Sequence, residues 1–299
     1  MKHLSHLLLA LLLLLSACHQ AGTDGTRQPA DSLVFTDDYQ RTVTIAAQPQ
    51  RIVSASPAIT EIIFALGAQD RLVGRTDYCL YPAQTQQIES IGGIANLNIE
   101  KVIALQPDLV VASSLIPQKS IDHIAAMGIP MVCLTEQPRF EALYATISRI
   151  GQLLGLDQRA DSLNASLQQR LQQLQSTLPH TDSLSRPSVY YVVGYGKAGN
   201  FTAGGNTFID HIITLAGGRN IAHHIEGWSF SLEALLQADP DFIIIRSSDA
   251  DAFCRTAPYN QLRAVRQHHV IPIDSGTIDL QVPRNIDAIE YIAAKISQS

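Results

Sequence analysis

The sequence predicts an α/β protein built from two similar α/β lobes with parallel sheets, joined by one long helix. Short, continuously apolar strands alternate with helices, a pattern typical of parallel sheets covered on both faces. The alternation stops at a long helical stretch between residues 140 and 178 and then restarts. A helix, a Pro-Asp pair and an apolar strand occur in that order in each half, at residues 99–111 and 232–244. Two unrelated units of this kind are the alternative explanation of the repeat.

The N-terminal lobe is predicted over residues 33–138, and it opens with a hairpin over residues 33–45 that turns at Asp37-Asp38. Apolar runs predict strands, and apolar residues at helical spacing predict helices. The strands lie at residues 52–55, 72–73, 109–112 and 131–134, and the helices at residues 59–66, 99–105 and 121–127. Asn98 is a suitable N-cap for the second helix. Each helix is followed by a residue that stops helices, namely Gly67, Pro107 and Gly128.

Linking helices are predicted over residues 139–185. An amphipathic helix ends near Gly155, and a second one begins at Asp157, a suitable N-cap, and ends near Leu178. At 1.5 Å per residue the second helix is about 33 Å long, enough to reach from one lobe to the other. The C-terminal lobe follows over residues 186–299. Its strands lie at residues 189–193, 242–245 and 270–273, and its helices at residues 208–215, 232–237 and 285–296.

Residues 1–17 are predicted to be a secretory signal peptide. They contain a positive charge, an apolar run and two small residues before Cys18. The apolar run is shorter than the roughly 20 residues that a membrane-spanning helix needs. Residues 15–18 resemble the lipobox of bacterial lipoproteins, which implies a lipid on Cys18 that anchors the protein to a bacterial membrane, in the periplasm or at the cell exterior. Residues 18–32 then form a lipidated, flexible tether; an ordinary signal peptide that contains a cysteine is the alternative.

Composition and motifs argue against several classes of function. The net charge of −6 disfavours nucleic acid or an anionic lipid surface as the main partner. The chain lacks the hydrolase elbow, the P-loop, the zinc-protease motif and the dinucleotide-binding motif, so we expect no enzyme activity. The body holds Cys79, Cys133 and Cys254, which permit one disulfide at most, with Cys79 and Cys254 as the candidate pair. His223-His224 has no visible companion ligands, so we expect no metal or other cofactor.

Motifs along the whole body resemble the periplasmic solute-binding proteins of ABC importers for cobalamin and iron complexes. The matching segments are residues 51–61, 65–67, 77–82, 92–93, 98–111, 203–207, 217–218, 228 and 231–233. Each motif is weak by itself, whereas their order and spacing are specific. The resemblance implies two α/β lobes joined by one rigid helix, with the ligand in a cleft between the lobes. It also implies a monomer that delivers a small molecule to an ABC permease with a cytoplasmic ATPase.

Loops at the carboxyl ends of the parallel strands are expected to form the binding site. Tyr78 and Tyr81 are the strongest candidates, since a covered aromatic ring contributes more than an isolated hydrogen bond; ordinary packing is the alternative. Trp228 is a second aromatic candidate or a core residue. Arg246 and Arg284 can meet an anionic group or remain solvated, and the resemblance places Arg284 at the cleft. The full candidate set is Ser56, Pro57, Tyr78, Tyr81, Gly93, Asn96, Tyr195, Phe201, Trp228, Arg246 and Arg284.

Glu100 and Glu233 occupy matching places in the first turn of the repeated helix. By spacing alone their function is to stabilise the helix dipole, worth about 0.3–1 kcal/mol each. The resemblance implies instead that each carboxylate docks onto basic residues of the membrane permease, where such pairs set orientation more than affinity.

The surroundings of Trp228 and the stretch Asp77 to Pro82 resemble cobalamin binders more than haem binders. Cobalamin is therefore the expected ligand, and haem or a ferric siderophore is the alternative. Ligation of haem iron by Tyr78, Tyr81 or a histidine is compatible with the sequence but is not indicated by spacing. The other possible classes of function are a hydrolase on an α/β scaffold and a surface-bound sensor or adhesion protein that uses the same fold without a transporter.

Overall fold

The computed structural model describes residues 32–179 and 182–298, and the chain from Leu33 onward forms one unit. The predicted signal peptide, the lipid on Cys18 and the tether up to residue 31 lie outside the described residues. Among the described helices, none is both long enough and apolar enough to cross a bilayer.

The N-terminal lobe is a four-stranded parallel sheet in the order β4-β3-β5-β6, preceded by a separate two-stranded sheet, β1-β2. The strands are β1 (Ser32–Thr36), β2 (Thr42–Ala46), β3 (Ile52–Ser54), β4 (Leu72–Arg75), β5 (Leu109–Ser113) and β6 (Met131–Leu134). The helices are α1 (Pro57–Ala65), α2 (Ile99–Ala104) and α3 (Gln118–Ala126). Every residue of β3, β5 and β6 is buried, as continuous apolar runs in a parallel sheet predict.

The turn between β1 and β2 is fixed by two carboxylates. Asp37 and Asp38 accept hydrogen bonds from the backbone N–H groups of Cys133 (3.2 Å) and Thr135 (2.6 Å), at the end of β6. The hairpin predicted at this place is therefore confirmed, and it is attached to the edge of the main sheet.

Two helices follow the first lobe, α4 (Ala142–Leu154) and α5 (Asp157–Thr177). Gly155 takes the left-handed conformation (φ +65°) that ends α4. The prediction that Asp157 is the N-cap of α5 was wrong, because the chain leaving Gly155 places Leu156 at that position and makes Asp157 the first helical residue. With 21 residues α5 is about 31 Å long, which agrees with the predicted connecting helix.

The long helix α5 contacts both lobes. The Arg159 guanidinium donates to the carbonyl of Leu66 (2.9 Å) at the end of α1 in the first lobe. The Arg170 guanidinium bridges to Asp287 (2.7 Å) and Glu290 (2.6 Å) on the last helix of the chain. Helix α5 is thus attached to both lobes, as the prediction of a joining helix requires.

The C-terminal lobe repeats the arrangement with the parallel order β8-β7-β9-β10. Its strands are β7 (Ser188–Val192), β8 (Arg219–Asn220), β9 (Phe242–Arg246) and β10 (Val270–Ile273). Its helices are α6 (Phe208–Leu215), α7 (Leu232–Ala238), α8 (Ala250–Arg255), α9 (Arg263–Arg266) and α10 (Asn285–Ile296). The sequence did not predict β8, α8 and α9, which have two, six and four residues and no apolar run or helical spacing that marks them.

The Pro-Asp repeat is one structural unit used twice. The residue before each proline, Gln106 in the first lobe and Asp239 in the second, has a positive φ (46° and 37°). Left-handed backbone is uncommon for residues other than glycine. Its occurrence at both matching positions shows that helix, turn and strand follow the same path in each lobe.

The aspartate of each Pro-Asp pair anchors the central strand of its lobe. Asp108 accepts a hydrogen bond from the backbone N–H of Arg51 (2.9 Å), just before β3. Asp241 accepts one from the backbone N–H of Ser188 (2.8 Å), the first residue of β7. The two lobes are therefore similar in their internal hydrogen bonding as well as in their strand order.

Candidate ligand-binding site

A cleft lies between the lobes, beside the loops that leave the carboxyl ends of the parallel strands. Two adjoining cavities of about 450 and 330 Å³ form it, and Asp279 lines both. Sites for small molecules commonly have this size and this position. A larger hollow of about 810 Å³ lies elsewhere, at the end of α5, and none of the predicted binding residues lines it.

The wall from the first lobe is aromatic. Pro57, at the start of α1, lines the cleft together with Tyr78 and Tyr81, whose side chains are each more than half exposed. The loop that carries both tyrosines is held in place by a hydrogen bond, which the Thr85 hydroxyl donates to the carbonyl of the buried Cys79 (2.8 Å). Rings held exposed on a fixed loop are suited to cover a flat ligand without prior rearrangement.

Gly93 and Asn96 lie beside Tyr78. A Cβ atom built on Gly93 would stand 3.7 Å from the Tyr78 ring and 2.4 Å from the Asn96 carboxamide oxygen. Only glycine fits at this position while Asn96 keeps its place. The structure thus brings three of the predicted residues together at one end of the aromatic wall.

Arg284 reaches across the cleft and binds a carboxylate of the other lobe. Its guanidinium donates two hydrogen bonds, of 2.7 and 2.8 Å, to Glu61 on α1. It also stacks on the Tyr81 ring, 4.0 Å from the ring centre. Burial raises the pKa of the Glu61 carboxyl, although the hydrogen bonds and charge of Arg284 act in the opposite direction. Arg284 therefore lines the cleft, as the resemblance implied, but it already has an anionic partner from the protein.

Glu61 was not identified as a functional residue from the sequence. The available signal was its position within the apolar helix Ile59 to Ile63, all of which is buried. A carboxylate is almost never buried unless it is paired, so a basic partner was to be expected, but spacing does not reveal that the partner lies 223 residues away.

Arg246, at the end of β9, donates to Asp279 (3.2 Å), and the phenol of Tyr191 donates to the other oxygen of the same carboxylate. Asp279 and Asp274 both line the cleft on the side of the second lobe. Neither aspartate was predicted, because both follow β10 in a segment without a recognisable motif.

Trp228 lines the second cavity and is about half exposed. Its backbone carbonyl accepts a hydrogen bond from the N–H of Thr202 (2.8 Å), and the N–H of Gly227 donates to Asn206 (2.8 Å). These two contacts fix the loop and direct the indole toward the cleft. The structure therefore places the aromatic candidate of the second lobe in the cavity that adjoins the one lined by the tyrosines.

Three predicted residues of the second lobe lie outside the two cavities, namely Arg246, described above, Tyr195 and Phe201. Tyr195 packs edge-on against Phe253 and Tyr259, with ring centres 5.0 and 5.5 Å away. Phe201 pairs through its backbone with Ser229, next to Trp228. Tyr195 contributes packing, and Phe201 supports the strand-like segment that carries the indole; a direct ligand contact for either remains a prediction.

A small hollow of about 10 Å³ adjoins the cleft and is lined by Ser56, Glu136 and Gln281. Glu136 also lines the cavity beside Trp228 and makes no ion pair among the described residues. Its carboxylate remains open to solvent, but protein surrounds it on most sides, and this desolvation raises its pKa. An unpaired, partly desolvated carboxylate that lines a cavity is available to accept hydrogen bonds from a ligand.

The charged side chains that line the cleft are mainly acidic. The carboxylates that line it are Glu61, Glu136, Asp274 and Asp279. Within the described part of the lining, Arg284 is the one basic side chain, and it is bound to Glu61. A ligand entering this site meets hydrogen-bond acceptors and aromatic rings rather than an available cation.

Several predicted features lie outside the cleft. Glu100 and Glu233 are exposed on α2 and α7, and their role stays a prediction. Cys79, Cys133 and Cys254 are all free thiols, so the suggested pair between Cys79 and Cys254 was wrong; the buried Cys79 sulfur instead contacts hydroxyl groups of its own lobe.

The two adjacent histidines have different surroundings. The imidazole of His223 contacts the Asp210 carboxylate (3.0 Å) and His224 is exposed. Among residues 32–179 and 182–298, no group of three or more side chains is arranged to hold a metal ion.

Comparison with known proteins gives a consistent result. The sequence profile of the periplasmic binding protein family matches residues 52–277. A substrate-binding lipoprotein of an ABC transporter in Bacillus subtilis is 30% identical, over 97% of this chain and 95% of its own length. A cobalamin-binding protein of Halobacterium salinarum is 29% identical, over 90% of this chain and 75% of its own length.

Solved structures share the fold. A periplasmic haem-binding protein from Roseiflexus is 27% identical, with a TM-score of 0.75 over 83% of this chain and 98% of that chain. A periplasmic vitamin B12-binding protein of Vibrio cholerae has a TM-score of 0.70 over 84% of this chain and 97% of that chain. At 23% identity the second likeness concerns the fold alone.

Proposed function

The chain belongs to the periplasmic binding protein family, and on that premise we propose that it captures a corrinoid of the cobalamin type in the inter-lobe cleft and delivers it to an ABC permease. The observation that carries this proposal is the combination of aromatic walls with an acidic lining that offers no available cation. The proposed activity is binding and delivery, without chemical change of the ligand.

The aromatic walls support a large, flat ligand. Tyr78 and Tyr81 of the first lobe and Trp228 of the second lobe present exposed rings in the two adjoining cavities of the cleft. Each of these side chains is about half exposed, so a ligand can bury about half of the 150–250 Å² of an aromatic side chain. This area corresponds to roughly 2–3 kcal/mol per ring before the entropy lost on ordering the ligand is subtracted. Three such rings provide enough apolar contact for a macrocycle.

The charge of the lining favours a corrinoid over a porphyrin. The corrin ring of cobalamin carries amide side chains at its edge. Their N–H groups can donate hydrogen bonds to the Glu136 and Asp279 carboxylates. Haem carries two propionate carboxylates instead. An anionic group placed here would have to displace Glu61 from Arg284 or approach other carboxylates without a counter-ion, and like charges at short distance are unfavourable.

Haem is the second candidate. Two exposed phenols, Tyr78 and Tyr81, stand in the cleft, and a tyrosine oxygen is one of the axial ligands that proteins provide to haem iron. The haem-binding structure from Roseiflexus, at 27% identity, also supports this candidate.

We further propose that the protein is held at a bacterial membrane by a lipid on Cys18 and acts as a monomer with an ABC permease and its ATPase. The relative from Bacillus subtilis is named a lipoprotein of an ABC transporter. The exposed Glu100 and Glu233 supply the proposed docking contacts.

The test is a titration of the purified chain from Ala21 onward with cyanocobalamin and, separately, with haemin, followed by calorimetry and absorbance. The proposal expects saturable one-to-one binding of cyanocobalamin. A new haem absorbance band with no cobalamin binding would transfer the assignment to haem, and no binding of either would exclude both and direct the search to a ferric siderophore.

The variant Glu61→Gln makes the same experiment sensitive to the charge argument. It removes the carboxylate that holds Arg284, so the cleft gains an available cation. The affinity for haemin is expected to rise about tenfold, consistent with one charge-assisted hydrogen bond, whereas the affinity for cyanocobalamin is expected to change less than about threefold. Equal changes for both ligands would contradict the charge argument.

A further inference from the structure

The loop between β10 and α10 runs along the cleft and is organised by one buried side chain. Asn285, the first residue of α10, is completely buried. Its side-chain N–H groups donate to the carbonyls of Thr277 and Leu280 (2.8 Å each), and its side-chain oxygen accepts from the N–H of Val282 (2.7 Å). One asparagine thus satisfies three backbone groups that lie outside regular secondary structure. We call residues 277–285 the strap.

The strap is also attached to its own lobe. The side chains of Ile278 and Val282 are completely buried. Between them, the Asp279 carboxylate accepts hydrogen bonds from Tyr191 on β7 and from Arg246 on β9. The strap is therefore a fixed part of the second lobe rather than a loose connection.

Two side chains of the strap reach the first lobe at separate places. Gln281 accepts a hydrogen bond from the N–H of Gln137 (3.3 Å), just after β6, and donates one to the carbonyl of the same residue. Arg284 donates two hydrogen bonds to Glu61 on α1 and stacks on the ring of Tyr81. The side chains of this ion pair are only 14% and 5% exposed, so salt and solvent screen it weakly.

The strap lines both cavities of the cleft. Asp279 borders both of them, Leu280 and Arg284 border the larger one, and Gln281 borders the one beside Trp228. The two attachments therefore fix how far the strap stands from the first lobe at both cavities. This spacing matters for binding, because a site that is already arranged loses less conformational freedom when a ligand enters.

We propose that the strap sets the spacing of the two lobes at the cleft, with Asn285 as the positioning residue and Gln281 and Arg284 as the two attachments to the first lobe. Helix α5 connects the lobes along the chain, whereas the strap connects them within the cleft itself. The ligand-free protein thereby keeps the spacing that binds the ligand. This last consequence rests on the proposed function.

The first experiment uses the ligand-free chain from Ala21 onward, which keeps every described residue. Gln281→Ala removes one attachment, and Glu61→Met with Arg284→Met replaces the other without leaving an unpaired charge. Hydrogen exchange of the Gln137 amide is expected to accelerate about tenfold in Gln281→Ala, because the acceptor of that amide is lost. Solution scattering is expected to show a larger radius of gyration when all three substitutions are combined.

Gln267→Ala is the matched control, because Gln267 is an exposed glutamine of the second lobe outside the strap and outside both cavities. Asn285→Ala is expected to act like the combined variant. Should this buried substitution prevent folding, the other variants still decide. A combined variant with the radius of gyration of the parent chain and of the control, or an unchanged exchange rate at Gln137 in Gln281→Ala, would overturn the proposal.

The second experiment follows the rates of cyanocobalamin binding to Gln281→Ala. If the binding arrangement of the lobes is populated less often, the association rate falls about threefold and the dissociation rate stays the same. A faster dissociation with unchanged association would mean that Gln281 is a simple ligand contact and would refute the positioning role. Failure of the parent chain to bind cyanocobalamin refutes the proposed ligand, whereas scattering and exchange still decide on the strap.

Discussion

The two lobes are alike where they are anchored and different where they face the ligand. Both use a Pro-Asp turn after a left-handed residue, and both fix their central strand through the aspartate of that turn. Their cleft walls, in contrast, share no side-chain pattern. The first lobe offers Tyr78 and Tyr81, and the second offers Trp228 with a group of charged residues.

The position of each feature in the repeated unit explains this difference. The helices and turns before β5 and β9 carry the strand anchors, so a change there disturbs the lobe itself. The loops after the strands carry no such anchors and can differ without loss of the sheet. We infer that the repeat preserves the scaffold and the exposed helices α2 and α7, while ligand recognition arises from the unequal loops.

Trp228→Ala tests whether the second lobe dominates recognition. Loss of the indole is expected to weaken cyanocobalamin binding about 100-fold, whereas Tyr78→Ala weakens it about tenfold, because the larger ring leaves more apolar surface uncovered. Calorimetric titration measures both, with Tyr291→Ala as an aromatic control outside the cleft. Similar losses for the two variants would mean that the walls contribute equally and would remove the asymmetry between the lobes.

The sequence predicted the scaffold more completely than the site. Helix α6 (Phe208–Leu215), strand β10 (Val270–Ile273) and helix α10 (Asn285–Ile296) have the predicted limits, because strong apolar periodicity meets clear start and stop signals. Strand β8 was not predicted, since two residues carry no pattern. Elements that depend on local hydrogen bonds and on apolar periodicity can therefore be predicted from the sequence, whereas elements too short to show a period cannot.

The site depends on contacts between residues far apart in sequence. Tyr78, Tyr81 and Trp228 were predicted because they lie in or beside loops and within the motifs that resemble the family. The pair of Glu61 with Arg284 was not, because it forms only when α1 and the start of α10 approach across the cleft. The acidic character of the cleft is likewise a sum over both lobes and has no local sequence signal.

The anchoring aspartates allow a test of the similarity between the lobes. Asp241→Ala is expected to lower the free energy of unfolding by about 2 kcal/mol, since the buried Ser188 loses the acceptor of its N–H and its hydroxyl. Asp108→Ala is expected to lower it by about 1 kcal/mol, because its donors are exposed and water can replace the carboxylate. Urea denaturation gives both values; equal losses would show that exposure of the donors is irrelevant.

The contact between Asp241 and Ser188 predicts that the free energy of unfolding depends on pH. Burial opposes ionisation of Asp241, but hydrogen bonds from Ser188 and the charge of Arg263 outweigh this effect and hold its pKa below the ordinary value of 3.8. A carboxyl whose folded pKa is depressed contributes stability above the unfolded pKa and loses it as the pH falls through the folded pKa. The difference in unfolding free energy between the parent chain and Asp241→Ala should therefore be constant at neutral pH and diminish below about pH 4.

The smallest expected effect concerns the two carboxylates that follow the edge strands, Glu136 after β6 and Asp274 after β10. Asp274 accepts a hydrogen bond from the N–H of Gly276 (2.8 Å), whereas Glu136 has no such donor among the described residues and burial raises its pKa. Amide donors of a corrinoid would stabilise the ionised form of Glu136. Affinity for cyanocobalamin should then fall about threefold as the pH is lowered through the raised pKa, and Glu136→Gln should remove that dependence.

A ligand that covers Glu136 without donating to it gives the opposite sign, because further desolvation favours the protonated acid. Haemin should therefore bind more tightly at pH 5 than at pH 7.5. Asp274→Asn is the control for a general effect of removing a carboxylate from the cleft. If acidification strengthens cyanocobalamin binding, the donor–acceptor contact with Glu136 is wrong, and the first lobe contributes to recognition through its aromatic wall alone.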